Sequence, residues 1–318
     1  MKTLSELKHF YQTQLLADLK ALELKRRKVL QKRMYVNTVI LCIVAAAVFV
    51  TIKFGMPPHI IFISIVLSVI LAVGAYRFIG KDYIAEFKIL IIDRIVRFID
   101  ENLTYDRMAC IPKSTFMLSQ IFKTKPNRYK GDDLVSGKIG QTKICFSELN
   151  AEYESGSGKN RSVRTVFKGL FFIGDFNKNF SCRTVVLPDT AEKLFGRIGQ
   201  KLQSMNLVRD DLIKLDDPEF EKLFVVYGTD QVGARYVLST SLMKRIVDFK
   251  NKTNRDIYLS FIGSMVFVAV SYKRNLFEPR IFQTLLDFGP VREYFEDLQL
   301  AIGIVDDLNL NTRIWSKN

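Results

Sequence analysis

From Met34 to Ile52 the chain runs through 19 residues without a charge, MYVNTVILCIVAAAVFVTI. A second uncharged run, Ile60 to Tyr76, follows after a short break. As helices, runs of this length reach about 25–29 Å, close to the roughly 30 Å of a bilayer's hydrocarbon core. Neither alternates with period two. Both are apolar on all sides, as lipid requires of a segment that must satisfy its own backbone. A helical hairpin buried in a soluble core is the competing reading and is disfavoured. The sequence therefore predicts transmembrane helices at 34–52 and 60–79 with an external loop at 53–59. Gly55 and the pair Pro57–Pro58 break helix in that loop and force a reversal.

Orientation follows from the basic residues. Seven Lys or Arg lie between Lys20 and Arg33, ahead of the first run, and Arg77, Lys81, Lys88, Arg94 and Arg97 follow the second. The loop carries only Lys53. By the positive-inside rule both termini are cytoplasmic. Ala45–Ala47 contains the A-x-A of a signal-peptide cleavage site. However, 33 polar-rich residues precede the first run and more apolar chain follows, which argues against cleavage. The same cluster reframes the net charge of +14, because residues 1–35 hold nine Lys or Arg against three acidic residues. That surplus sits beside an anionic membrane surface, a simpler use for it than nucleic-acid binding, which is disfavoured.

Residues 1–33 read as an amphipathic basic helix. From residue 2 onward they lack Pro and Gly, and Leu4, Leu7, Tyr11, Leu15, Leu19, Leu22 and Val29 form one stripe. After the second run, Ile84, Phe87, Ile91, Ile95, Phe98 and Ile99 make a similar stripe. The two helices leave the same membrane face, so packing stripe on stripe gives a helical stalk, with residues 80–130 forming stalk and linker. A helix lying flat on the headgroups is the alternative.

From residue 131 to 318 the texture is that of a cytosolic α+β domain with an antiparallel or mixed sheet and helices. Strands are expected at 134–139, 142–153, 163–176, 183–187 and 224–227. A hairpin at 257–262 and 265–271 turns at Gly263–Ser264. Helices are expected from Asp189, capping with Glu192, to about Ser204, at Asp217–Pro218–Glu219, from Ser239 to about Lys250, and from Glu278–Pro279 to about Ala301.

The run TVFKGLFFIGDFNKNFSCRTVVLPD (Thr165–Asp189), the preceding VSGKIG and FSELNAEYE, and the later DDPEFEKLFVVYGTDQVGARYVLSTSLMKRI carry a resemblance. Over roughly residues 80–300 the chain resembles the bacterial domain-of-unknown-function family 3137. The resemblance implies a bacterial inner-membrane protein with two spans ahead of a soluble domain. It implies no activity.

Motifs that would carry chemistry fail on their residues. Gly158–Lys159 lacks the Gly and the Ser or Thr of a phosphate loop, since Tyr153 and Asn160 stand there. With two His and four Cys, none in C-x-x-C spacing, neither a metal centre nor a redox dithiol is indicated, and no cofactor is expected. Cys145 and Cys182 read as core thiols. The candidate binding set is Lys168, Asp175, Asn177, Arg183 and Asp189, a cation–carboxylate group within 22 residues that suits an anionic ligand, a peptide end or a partner loop. Turn and cap chemistry explains the same residues more simply. The reading is a membrane-anchored cytosolic interaction or ligand-binding module in the bacterial inner membrane. Its partners would be the lipid bilayer and a protein or small ligand, and a homo-oligomer is compatible with it. The alternative, an envelope-associated enzyme acting on a lipid or nucleotide through carboxylate chemistry, is the less favoured.

Overall fold

The computed structural model describes residues 2–55, 57, 59–189 and 210–311. The chain divides into two compact units. One joins Lys2–Ile95 with Phe277–Phe295, and the other joins Val96–Leu276 with the described residues from Glu296 onward.

In the helical unit, α1 (Leu4–Phe10) opens with a capping box between Thr3 and Glu6. A π turn at Tyr11–Leu15 leads into α2 (Leu16–Phe54), 39 residues with neither Pro nor Gly. Gly55 ends it in the left-handed region at φ +61°, where its N–H bonds the Thr51 carbonyl. The return is α3 (His59–Ile79), then α4 (Lys81–Phe87), a second π turn at Lys88–Ile92, and α5 (Asp93–Ile99). Leu7, Tyr11, Leu15, Leu19, Leu22 and Val29 are buried, as are Phe87, Ile91 and Ile95 on the returning side. Lys25–Glu86 and Arg94–Asp18 pair across the two helices, each at 2.5 Å. Only Leu4, at the open end, leaves the expected stripe for solvent. Further along, the character inverts. In α2 and α3 the most apolar 18-residue stretch of each helix is only 6% buried, with Leu41, Phe49, Ile52, Phe62, Leu67 and Ile70 bare.

A strap from the other end of the chain completes this unit. The sequence suggests a helix from Glu278–Pro279, but the last helix, α10, spans Phe288–Asp307. Pro290 has no N–H and fits only the first turn, which moves the start to Phe288. The strap's backbone is bonded by stalk side chains instead. Arg26 donates to the Ile281 carbonyl at 2.7 Å, the Leu285 N–H donates to Glu23 at 3.1 Å, and the Tyr11 hydroxyl donates to the Leu286 carbonyl at 2.6 Å. Lys88, itself buried, pairs with Glu278 at 2.8 Å. Glu23 and Arg26 are buried together, with Arg26 Nε and Nη2 on the two Glu23 oxygens at 2.8 and 2.6 Å.

In the sheet unit the elements are β1 (Leu103–Asp106), α6 (Lys113–Leu118), β2 (Arg128–Ile139), β3 (Thr142–Ser155) and β4 (Ser162–Pro188). These are followed by β5 (Asp211–Ile213), α7 (Pro218–Leu223), β6 (Phe224–Gly228), α8 (Gln231–Val237), α9 (Thr240–Thr253) and β7 (Ile257–Ser271). All pairings are antiparallel, in the order β1-β2-β3-β4-β6-β5 with β7 against β4. The two longest strands each double back. Ser271 N–H bonds the Asp256 carbonyl at 3.0 Å, and the Arg255 guanidinium lies 3.9 Å from the centre of the Tyr272 ring. A straight β7 would hold its ends about 50 Å apart. The fold-back is therefore the expected hairpin, with Gly263 at its tip in the left-handed region, φ +59°. Both arms of β7 are antiparallel to β4, so β4 must reverse as well, in the register gap between Asp175 and Phe180. The β4 arms thus flank the β7 hairpin, one pairing β3 on its outer edge and the other β6.

Leu170, Phe171 and Phe172 are fully buried, so both faces of the first β4 arm are covered. On one face Phe116 of α6 lies 5.1 Å from Phe171, within a cluster that includes Ile111, Ile121, Leu149, Phe167 and Val185. Phe116 and Ile121, within the stretch expected as linker, are therefore core, and position 131 falls inside β2. The basic, Pro-containing texture there hides a few apolar residues with no periodicity. β1, β5 and α8 also go beyond the sequence reading. The Asp217 and Ser239 caps are present, while the helix expected at 189–204 lies, after its first residue, outside the described residues.

The Glu23 site generates a pH dependence. Hydrogen bonds from Arg26, and further ones from Leu285 and Arg27, lower the Glu23 pKa to about 2 against the cost of burial. The folded value lies below the ordinary one of 4.5. The stabilisation is therefore complete above pH ~4.5 and is lost as pH falls toward ~2. The melting temperature of the detergent-solubilised protein should fall between pH 5 and pH 3 more steeply than that of Glu23→Gln. Glu23→Ala, which strands the buried Arg26, should cost about 3–5 kcal/mol at neutral pH.

Candidate functional site

The five polar residues singled out from the sequence separate in space. Lys168 and Asp175 share the first β4 arm, where the register is unbroken, opposite Asn150 and Met265 respectively. Seven residues apart, they point to opposite faces and stand about 23 Å from each other along the strand. Asn177 falls in the reversal between the arms. Arg183 is on the second arm, three strand spacings or about 14 Å away across the sheet. Asp189 begins the segment that leaves the described residues and is partly buried.

Arg183 is engaged on every side. Nε donates to Asp210 Oδ2 at 2.7 Å, Nη2 donates to the other Asp210 oxygen, and Nη1 donates to Gln120. Its backbone N–H donates to the Thr229 hydroxyl at 3.0 Å, and its carbonyl accepts from Thr229 N–H at 3.1 Å. A guanidinium in a two-point fork is a strong positional clamp. Here it holds the chain at Asp210, where the described residues resume. Nothing in the sequence marks Asp210 as its partner 27 residues on.

A second polar group has no short motif to mark it in the sequence. Asp132, Asp133 and Glu148 bring one carboxylate oxygen each to within 4.8 Å of one another, and Asp133 and Glu148 are buried. β-pairing puts Asp132 opposite Glu148, and the bulge between Asp132 and Val135 turns Asp133 inward at φ +59°. Three carboxylates at this spacing are a donor set of the kind hard cations take. They also have protein donors: the Tyr105 hydroxyl bonds Asp133, and Leu276 N–H bonds Glu148 at 2.8 Å. The thiols beside the sheet are passive. Burial pushes both Cys110 and Cys145 up, Asp132 adding to the effect at Cys110.

Residues 165–310 match the model of the family described as "Protein of unknown function (DUF3137)". The matched stretch begins in the first β4 arm and closes just after α10, narrower at its start than the resemblance read from the sequence. A crystal structure of the mycobacterial trehalose monomycolate transport factor A, TtfA, is similar at a TM-score of 0.33 and 10% identity, over 66% of this chain and 95% of that one. At that score the likeness carries no argument. No curated protein matches.

If the Arg183 fork is a structural clamp, Arg183→Ala should cost about 1–3 kcal/mol, because Asp210 and Gln120 lose a partly buried partner. In a double-mutant cycle with Asp210→Ala the two losses should be strongly non-additive. Additive losses would show that the pair is screened by solvent.

Proposed function

We propose that this chain is a membrane-anchored interaction or ligand-binding module, held by α2 and α3 in a bacterial inner membrane with both termini in the cytoplasm. The observation that carries the reading is the bare apolar surface of those helices. A soluble helical hairpin buries its apolar side chains, whereas here only 6% of each apolar stretch is covered. Exposed patches far smaller than this already mark interaction surfaces in soluble proteins. The basic residues before Met34 and after Tyr76 set the orientation.

The sheet unit supports binding more than catalysis. Its Arg183 clamp is consumed in structure, and of the three gathered carboxylates two are buried and already bonded by Tyr105 and Leu276. Of the polar residues first singled out, Asp175 and Asn177 lie at the β4 reversal, at one end of the sheet. That end is where a protein partner or small ligand would dock.

Topology tests the anchor. A periplasm-dependent reporter fused at Met56 should be active and the same reporter fused at Asn318 inactive. The reverse pattern, or activity at neither site with the protein in the soluble fraction, contradicts the reading.

A further inference from the structure

The strap does more than cover the stalk, because its path climbs toward the membrane and returns. Glu278 meets Lys88, eight residues or about 12 Å along the helices from Gly80. Leu285 meets Glu23, ten residues or about 15 Å before Arg33. Between these anchors the chain rises to Ile281, whose Cδ1 lies 3.8 Å from the position a Cβ on Gly80 would take, with Arg33 Nη2 at 3.4 Å from the same point. Gly80 directly follows α3, and Arg33 is the last charge before the uncharged run. The Ile281 side chain, at the apex of the strap, therefore reaches the end of α3, where the Arg33 side chain also arrives.

At that apex Phe282 is 84% exposed, the ring standing clear of the protein. Phe78, two residues before Gly80, is equally bare at 85%. Lys32, Arg33 and Lys81 share the level. Aromatic rings beside basic side chains at the end of an apolar helix are the composition of a membrane interface on its anionic, cytoplasmic side. The strap has no helix of its own to place the ring, so its height is set by Arg26 on Ile281 and Glu23 on Leu285.

We infer that Phe282 is a third membrane contact, inserting into the headgroup–acyl boundary of the cytoplasmic leaflet beside α2 and α3. The inference rests on the reading that those helices span a bilayer, and the test separates the two. Trp315 is the chain's only tryptophan. In the full-length Trp315→Phe protein, Phe282→Trp and, separately, Phe62→Trp are reconstituted into vesicles of phosphatidylcholine and phosphatidylglycerol, with or without lipids brominated along the acyl chain. Both tryptophans should be quenched by the brominated lipid, and the one at 282 should be shielded from aqueous iodide. Quenching at 62 together with iodide-accessible, bromine-insensitive emission at 282 overturns the interfacial contact and leaves the spans standing. Quenching at neither position overturns both. Shielding of 282 from both quenchers also overturns it, since another protein surface would then cover the ring.

Discussion

A single carboxylate, Glu23, gathers the helical unit. It accepts from Arg26 twice, from Arg27 at 3.2 Å, and from the backbone N–H of Leu285, 262 residues along the chain. Burying two charges is costly, and the cost is offset only when geometry and further hydrogen bonds are good. Here they are: both carboxylate oxygens are used, and the third Arg26 nitrogen, Nη1, donates to the Ile281 carbonyl. The irregular backbone of the strap needs partners for its own polar groups, and the stalk supplies them. Each side therefore satisfies the other, and the loss of Glu23 would take the carboxylate from the Arg26 guanidinium and the acceptor from the Leu285 amide together.

The same helix changes character along its length. Up to Arg33, α2 is amphipathic and buries a stripe at a spacing of three, four and seven residues. Beyond Met34 it is apolar on every side and most of its side chains are exposed. No cap or turn marks the change within the helix. The boundary is written only in side-chain chemistry, and the basic residues of the flanking turns lie on one side of it. Seven of the nine basic residues in 1–35 lie between Lys20 and Arg33, in the turns that lead into the apolar stretch.

What was legible in the sequence was local. The uncharged runs, the leucine stripe, the Asp217 and Ser239 caps and the Gly263 hairpin each depend on residues within one element or one turn. What was not legible depends on distant partners. Glu278–Pro279 looks like a helix start because that motif starts helices, but Arg26 and Glu23 claim the backbone that follows. α6 and β1 are too short to show a period, and Phe116 reveals its role only when Phe171 stands 5.1 Å away. The candidate residues do not converge in space for a related reason. Density along a strand is not proximity, since an odd spacing sends Lys168 and Asp175 to opposite faces. The true neighbours, Asp210 for Arg183 and Glu148 for Asp132, come from registers that no short motif records.

Buried stalk side chains hold the strap through its backbone. Amide hydrogen exchange of the reconstituted full-length protein measures this directly. The account predicts slow exchange at Leu285 in the natural protein, and rapid exchange there in Glu23→Ala while the β4 and β7 amides stay protected. Unchanged protection at Leu285 in that variant, with the carboxylate gone, would contradict it.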